Sequence, residues 1–334
     1  MTKIPRPDFL PSVQDVREAA TRIASVVLQT RLLQSAQLSE NTRHDVYFKC
    51  ENEQETGSFK VRGAFNVLAS LTPEQRARGV VASSAGNHGL GVAFAAHAFG
   101  APAMLYVPAT APGVKKDGIA KLGATVNDEE PDYDAAMVRA RAHAASHGIP
   151  FINPCLGDVL LAGQGTVALE VLEQLPELKT LVVCTGGGGL LGGIGAVMRE
   201  LAPHVRIVGA QSVNTAAMSL SVAAGHVVEI ASVPTLADGL AGQIDDEALA
   251  IGQYCADEIV TITEEEIGET IAWLWRAEGL KVEGAGAVAA TALRYNKISN
   301  LEGAVVAIVS GGNIDDAKHA SLLSRFPGAG AETR

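Results

Sequence analysis

The sequence predicts an α/β protein built as two parallel-sheet domains, and three observations carry that expectation. From about Val80 onward, short apolar runs alternate with amphipathic stretches, the rhythm of parallel strands covered by helices on both faces. The apolar runs fall into two sets, one before and one after about residue 153. With 334 residues, 47% hydrophobic and 19% charged, the chain has apolar material for about two cores.

In chain order the expected strands are VVAS (80–83), AMLYV (103–107), TLVVC (180–184), VRIVGAQ (205–211) and AVVAIVS (304–310). Between them, DYDAAMVRARAHAASHG and GTVALEVLEQL have the spacing of helices. Thr263 followed by Glu266 is a capping box that opens a helix over TEEEIGETIAWLWRAEG. No long linker separates the two sets of strands, so a cleft between packed domains is expected. FPGAGAETR reads as a frayed tail, and from the short stretch after Ser310 no separate C-terminal regulatory domain is expected.

Composition excludes several function classes. A net charge of −11 opposes binding to phosphate backbones and anionic lipids, and 4% aromatic residues leave little surface for stacking on bases. Cys50, Cys155, Cys184 and Cys255 are scattered without paired spacing, so neither a disulfide framework nor a zinc site is expected. MTKIPRPDFLPS lacks the apolar core of a signal peptide, and no run is long enough to span a bilayer. The expectation is a cytoplasmic protein with a small-molecule substrate.

Four segments carry candidate chemistry. In GSFKVRGAFNVL (57–68), Ser58 is placed to cap a helix with the apolar face Val61, Ala64, Phe65, Leu68. Lys60 then sits in the first turn, where the helix's partial positive charge disfavours an ammonium and favours the neutral amine that attacks an aldehyde. A solvated lysine is the alternative there. In ASSAGNHGLGVAFAAHAFG (82–100), a strand end and small-residue turn precede an apolar helix. The N–H groups of Ser84, Ala85, Gly86 and Asn87 suit a carboxylate, or Asn87 simply caps the helix.

In TLVVCTGGGGLLGGIGAVM (180–198), Gly187, Gly189 and Gly192 formally match a dinucleotide fingerprint, which would make the chain a nicotinamide-dependent dehydrogenase. The following strand, however, ends in Gln211 instead of the acid that binds a ribose. Four consecutive glycines suit a loop wrapped around one phosphate at a helix start. The fourth segment, AVVAIVSGGNID (304–315), presents Ser310 at a strand end, where ligands of open α/β sheets sit. His143 and His147 stand one turn apart on a charged helix and read as a solvated face, not a metal site.

Together these segments resemble the fold-type II pyridoxal-phosphate (PLP) enzymes, the tryptophan synthase β-like fold, and within them the threonine/serine dehydratase and serine racemase branch. FKCENEQETGSFKVRGAFN, ASSAGNHGLGVA, LAGQGTVALEVL, CTGGGGLLGG, EGAGAVAA and SGGNID carry the likeness, over nearly the whole chain. The resemblance implies a larger cofactor domain over 1–76 and 153–334, a smaller domain over 77–152, and a homodimer. It implies that Lys60 is the catalytic, Schiff-base lysine and that Gly186, Gly187, Gly188, Gly189 and Leu190 hold the cofactor phosphate. Asn87 would bond the ring hydroxyl and Ser310 would face the pyridine nitrogen, while Ser84, Ala85, Gly86, Asn87 and His88 hold the substrate carboxylate.

The implied reaction converts a β-hydroxy amino acid to a 2-oxo acid and ammonia. Serine racemases place a serine directly before Gly-Asn-His, whereas this chain has Ala85 there, matching dehydratases instead; an amino-acid racemase is the nearest rival reading, and a silent PLP-binding protein a further one. The acidic residues of the racemase cation site are absent after the VRIVGA strand, so no metal site is expected. Cys155 and Leu156 depart from the polar residues usual before AGQGT. If they border the substrate side chain, they point to a bulkier substrate, such as phenylserine or a compatible-solute catabolite.

Overall fold

A computed structural model describes residues 4–328. Its strands are β1 (Leu32–Gln34), β2 (Val46–Cys50), β3 (Val80–Ser83), β4 (Ala103–Pro108), β5 (Thr125–Glu130), β6 (Leu178–Cys184), β7 (Arg206–Ser212), β8 (Glu258–Ile262) and β9 (Ala304–Val309). The helices of the first half are α1 (Val13–Ile23), α2 (Ala36–Thr42), α3 (Lys60–Ser70), α4 (Pro73–Arg78), α5 (Asn87–Phe99), α6 (Gly113–Lys121) and α7 (Tyr133–His147). Those of the second half are α8 (Asp158–Gln174), α9 (Gly189–Leu201), α10 (Ala217–Ala224), α11 (Asp246–Cys255), α12 (Glu264–Glu278), α13 (Gly284–Arg294) and α14 (Asp316–Arg325).

The strands form two sheets. Six line up as β1-β2-β9-β6-β7-β8, with only β1 and β2 antiparallel; β3-β4-β5 make a second, wholly parallel sheet. β9 is apolar along its length, and β6 from Leu181 to Cys184, because a central parallel strand is covered on both faces. All five strands expected from sequence occur, with ends shifted by a few residues. The tail over 329–334 lies outside the described residues.

Two main apolar cores result. One surrounds the six-stranded sheet and includes Phe48, Trp273, Val182 and Val306. The other joins β3 and β4 to α5, and it recruits Val61, Ala64, Phe65 and Leu68 of α3 together with Ile23, Val27 and Leu160. Helix α3 thus faces the small-sheet core while its other side packs on α8. The crossing is close: a Cβ on Gly163 would meet Arg62 O and Gly63 Cα at 2.6 Å, so only glycine fits there.

A buried ionic network fixes this crossing. Arg62, fully buried, bonds Glu51 through Nε and Nη2 (2.7 Å each) and Glu170 through Nη1 (2.6 Å). Lys49 Nζ reaches Glu170 at 2.5 Å and Thr30 O at 2.7 Å. β2, α3 and α8 are thereby tied together two residues from Lys60.

Candidate active site

Lys60 is the first residue of α3, but Ser58 does not cap that helix. The N-cap is Phe59, without a side-chain bond, and the Ser58 hydroxyl is buried with no partner among the described residues. The cause is a short antiparallel pairing: Ser58 faces Gly311, Phe59 N donates to Ser310 O (3.1 Å), and Gly312 N donates to Gly57 O (2.8 Å). This pairing turns Ser58 inward and sets Lys60 beside the end of β9. Lys60 Nζ, half-buried, donates to Pro154 O at 2.8 Å and lies 5.2 Å from the Phe59 ring centre.

Ser310 is buried at the end of β9, and its Oγ donates to Ala285 O at 3.4 Å. Cys184, ending the adjacent β6, is buried against it. Burial pushes the Cys184 thiol up to about 11, against the opposing pull of its hydrogen bond with Ser310 and the Lys60 charge. The ends of β6 and β9 therefore bring a hydroxyl and an un-ionised thiol near Lys60.

The glycine run follows β6 directly. Gly188 adopts φ +88° as the N-cap of α9, with no side chain capping it, so the first N–H groups of that helix lack intrahelical acceptors. The run is also tightly covered: a Cβ on Gly187 would come within 2.8 Å of Cys155 Sγ, and one on Gly186 within 3.0 Å of Leu240 Cα. Gly192, the third glycine of the dinucleotide fingerprint, lies inside α9 against Ile251 and Leu161. Gln211 is buried, its Nε2 donating to Thr215 O (2.9 Å) and its Oε1 accepting from Ser219 N (2.8 Å). That carboxamide is consumed by its own loop and offers nothing to a ribose.

The 84–88 segment runs from the end of β3 into the first turn of α5. Ser84 Oγ accepts from Gly86 N at 3.1 Å, so one of the N–H groups expected to meet an anion is already paired. Gly86, not Asn87, is the N-cap of α5. The Asn87 carboxamide is held from both ends: Nδ2 donates to Glu283 Oε1 (2.5 Å), and Oδ1 accepts from Asn313 Nδ2 (2.8 Å). Glu283, at the start of α13, is buried, and burial with the nearby Asp238 charge pushes its carboxyl up to about 7. His88 is buried too, and burial together with the Lys60 charge pushes its imidazole down to about 3.

Cys155 and Leu156 lie on the loop that also receives Lys60. Asn153 Oδ1 accepts from both Cys155 N (2.9 Å) and Leu156 N (3.0 Å), which folds the loop into a rigid turn. Cys155 covers the glycine run, whereas Leu156 lines a cleft of about 490 Å³ with Val67, Phe151, Ile152, Leu160 and Arg141. His143 bonds the Tyr106 hydroxyl (2.5 Å) and meets His147 edge to face, and no group of three or more metal-binding side chains occurs among the described residues.

Sequence reasoning singled out Lys60, the glycine run, Asn87 and Ser310, and these converge. It missed Glu283 and Asn313, which fix Asn87. The one available signal was chemical: Glu283 is the sole acid of EGAGAVAA, and Asn313 the sole amide of SGGNID.

Comparison with known proteins adds to this geometry. The family model "Pyridoxal-phosphate dependent enzyme" matches residues 23–311. The L-threonine ammonia-lyase of Thermotoga maritima is 40% identical over 305 residues, covering 91% of this chain and 76% of that protein. A putative threonine dehydratase of Sinorhizobium fredii is 38% identical, covering 94% of this chain and 95% of the other. Among solved structures, maize serine racemase superposes with a TM-score of 0.89 at 30% identity, over 95% of this chain and 98% of that one.

Proposed function

The chain belongs to the pyridoxal-phosphate dependent enzymes and is an ammonia-lyase among them, and from that premise we propose that it removes water and ammonia from a β-hydroxy amino acid with a side chain larger or less polar than serine's. The observation that carries the catalytic part is the convergence of Lys60, Ser310 and the uncapped glycine turn of α9.

The residues present fit the cofactor. Gly186–Leu190 form a turn with bare N–H groups at a helix start, which suits a dianionic phosphate. The Asn87 carboxamide, oriented by Glu283 and Asn313, keeps one Nδ2 hydrogen free for a ring substituent. Ser310 offers a neutral hydroxyl to a ring nitrogen, where an aspartate would hold that nitrogen protonated. When bound, the cofactor supplies the electron sink that allows a Cα proton and then a β-hydroxyl to leave.

The chain's own residues supply binding, orientation and proton movement. Lys60 Nζ would take the proton from the substrate Cα, with Pro154 O as the acceptor that holds the amine between steps. The Ser84–His88 turn would bind the substrate carboxylate through the backbone N–H groups that Ser84 leaves free. The loop over 153–158 would cover the reacting atoms against water. Ala85, between Ser84 and Gly86, has no hydroxyl with which to return a proton from the opposite face, and this favours elimination over racemisation.

The side-chain preference rests on Cys155, Leu156 and the apolar side chains Val67, Phe151, Ile152 and Leu160 of the neighbouring cleft, which Arg141, Asp158, Asp245 and Glu247 also line. Covering one phenyl-sized group there contributes on the order of 1.5–3 kcal/mol, about tenfold or more in selectivity. The test compares kcat/KM for serine, threonine and phenylserine, then repeats the panel with Leu156→Asp. The wild type is expected to favour a substrate larger than serine, and Leu156→Asp to erase that preference. A clear preference for serine that Leu156→Asp leaves untouched contradicts the side-chain reading.

A further inference from the structure

His88 stands where the substrate-binding turn meets the loop that receives Lys60. It is the second residue of α5, and its Nε2 lies 3.1 Å from Ile152 O. A carbonyl oxygen only accepts, so the proton is assigned to Nε2 and Nδ1 is left as a bare acceptor. Nδ1 has no partner among the described residues although the side chain is 3% exposed. An orphaned buried acceptor carries a desolvation penalty that an apolar side chain in the same space would avoid. The penalty is offset only if the Nε2–H bond does something that packing does not.

What it does follows from the chain beyond Ile152. Ile152 N donates to Val81 O (2.8 Å), so the start of the loop is pinned to β3. Asn153 closes the following turn, and Pro154 O then receives Lys60 Nζ at 2.8 Å. We propose that His88 is a positioning residue: its Nε2–H locks the 152–156 loop to the 84–88 turn, so that the carboxylate-binding turn and the acceptor of the Lys60 amine move as one body. The inference rests on the assignment of Lys60 as the catalytic amine. A neutral imidazole suits the role, because a proton on Nδ1 would have no acceptor and would add a second buried cation near Lys60.

The holoenzyme tests this directly. His88→Leu keeps the backbone N–H groups of the turn and removes the lock, whereas the amide of His88→Gln reaches about as far as Nε2 and restores a donor. The expected result for His88→Leu is a fall in kcat of about tenfold or more with KM changed by less than about threefold, and His88→Gln recovering most of the loss. The pH midpoint of the cofactor's visible band should shift in His88→Leu and not in His88→Gln. Imidazole ¹⁵N spectra of the wild type should show a protonated Nε2 and an unprotonated Nδ1 from pH 5 to 8, a readout that survives if His88→Leu does not fold. An Nδ1–H tautomer, an unaltered kcat in His88→Leu, or equal losses in two folded variants overturns the proposal. A wild type that forms no 2-oxo acid contradicts the proposed reaction instead, and the spectra and band midpoint still decide the role of His88.

Discussion

At Lys60 three backbone segments meet: the start of α3, the end of β9 paired through Phe59 and Ser310, and the loop carrying Pro154. The amine is held by geometry that no property of lysine supplies, which is why its position at a helix start was informative but insufficient. Nearby, Gly187 shows how little room remains. Replacing it with Asp puts a Cβ within 2.8 Å of Cys155 Sγ and a carboxylate at a turn proposed to hold a dianion. Gly187→Asp is expected to weaken cofactor retention at least tenfold, an order-of-magnitude loss, measured by equilibrium dialysis of the loaded protein. Unchanged retention in a folded variant means that the run is only a turn.

Among elements, the crossing of α3 and α8 bears the site. Burial alone would push the Glu51 carboxyl up, but the Arg62 guanidinium overrides it and holds Glu51 below the usual carboxylate range. Arg62→Met leaves Glu51 buried with Thr30 as its remaining hydrogen-bond partner, and breaking such a pair costs about 3–5 kcal/mol. Denaturant unfolding should show that loss, and adding Glu51→Gln should restore part of it; a loss under about 1 kcal/mol would place the network among neutral contacts.

This level also marks where the sequence was legible. β3, β4, β6, β7 and β9 are apolar runs and were readable as strands. β5 (TVNDEE) is a polar edge strand, β1 has three residues, and β2 (VYFKC) hides its burial behind Lys49, whose ion-pair partner Glu170 lies far along the chain. Ser58 was misread because a cap is inferred from local sequence, whereas its partner strand lies at Gly311. Glu283 and His88 likewise gain their roles from contacts across the fold, Asn87 and Ile152, that no spacing announces.

Over the whole molecule, segments from both sheets converge on one site, and two buried groups there link folding to pH in opposite senses. Glu283 is raised from 4.5 to about 7, so its contribution to stability is full below pH 4.5 and is lost as pH rises through 7. His88 is lowered from 6.5 to about 3, so its contribution is present above pH 6.5 and is lost as pH falls toward 3. Glu283→Gln removes the first effect and keeps an acceptor for Asn87. Its melting temperature, relative to wild type, should rise between pH 5 and pH 8; a constant difference across that range contradicts the buried, proton-bearing Glu283.

In the proposed reaction Lys60 carries the cofactor of a β-hydroxy amino-acid ammonia-lyase. Borohydride reduction of the loaded wild-type protein, followed by peptide mapping, tests it most directly, because reduction makes the cofactor–lysine bond permanent. A single labelled peptide containing GSFKVR is expected, with the label on Lys60 and 2-oxo acid formation abolished by the reduction. A label on any other lysine, or an unlabelled protein that still forms 2-oxo acid, would contradict it.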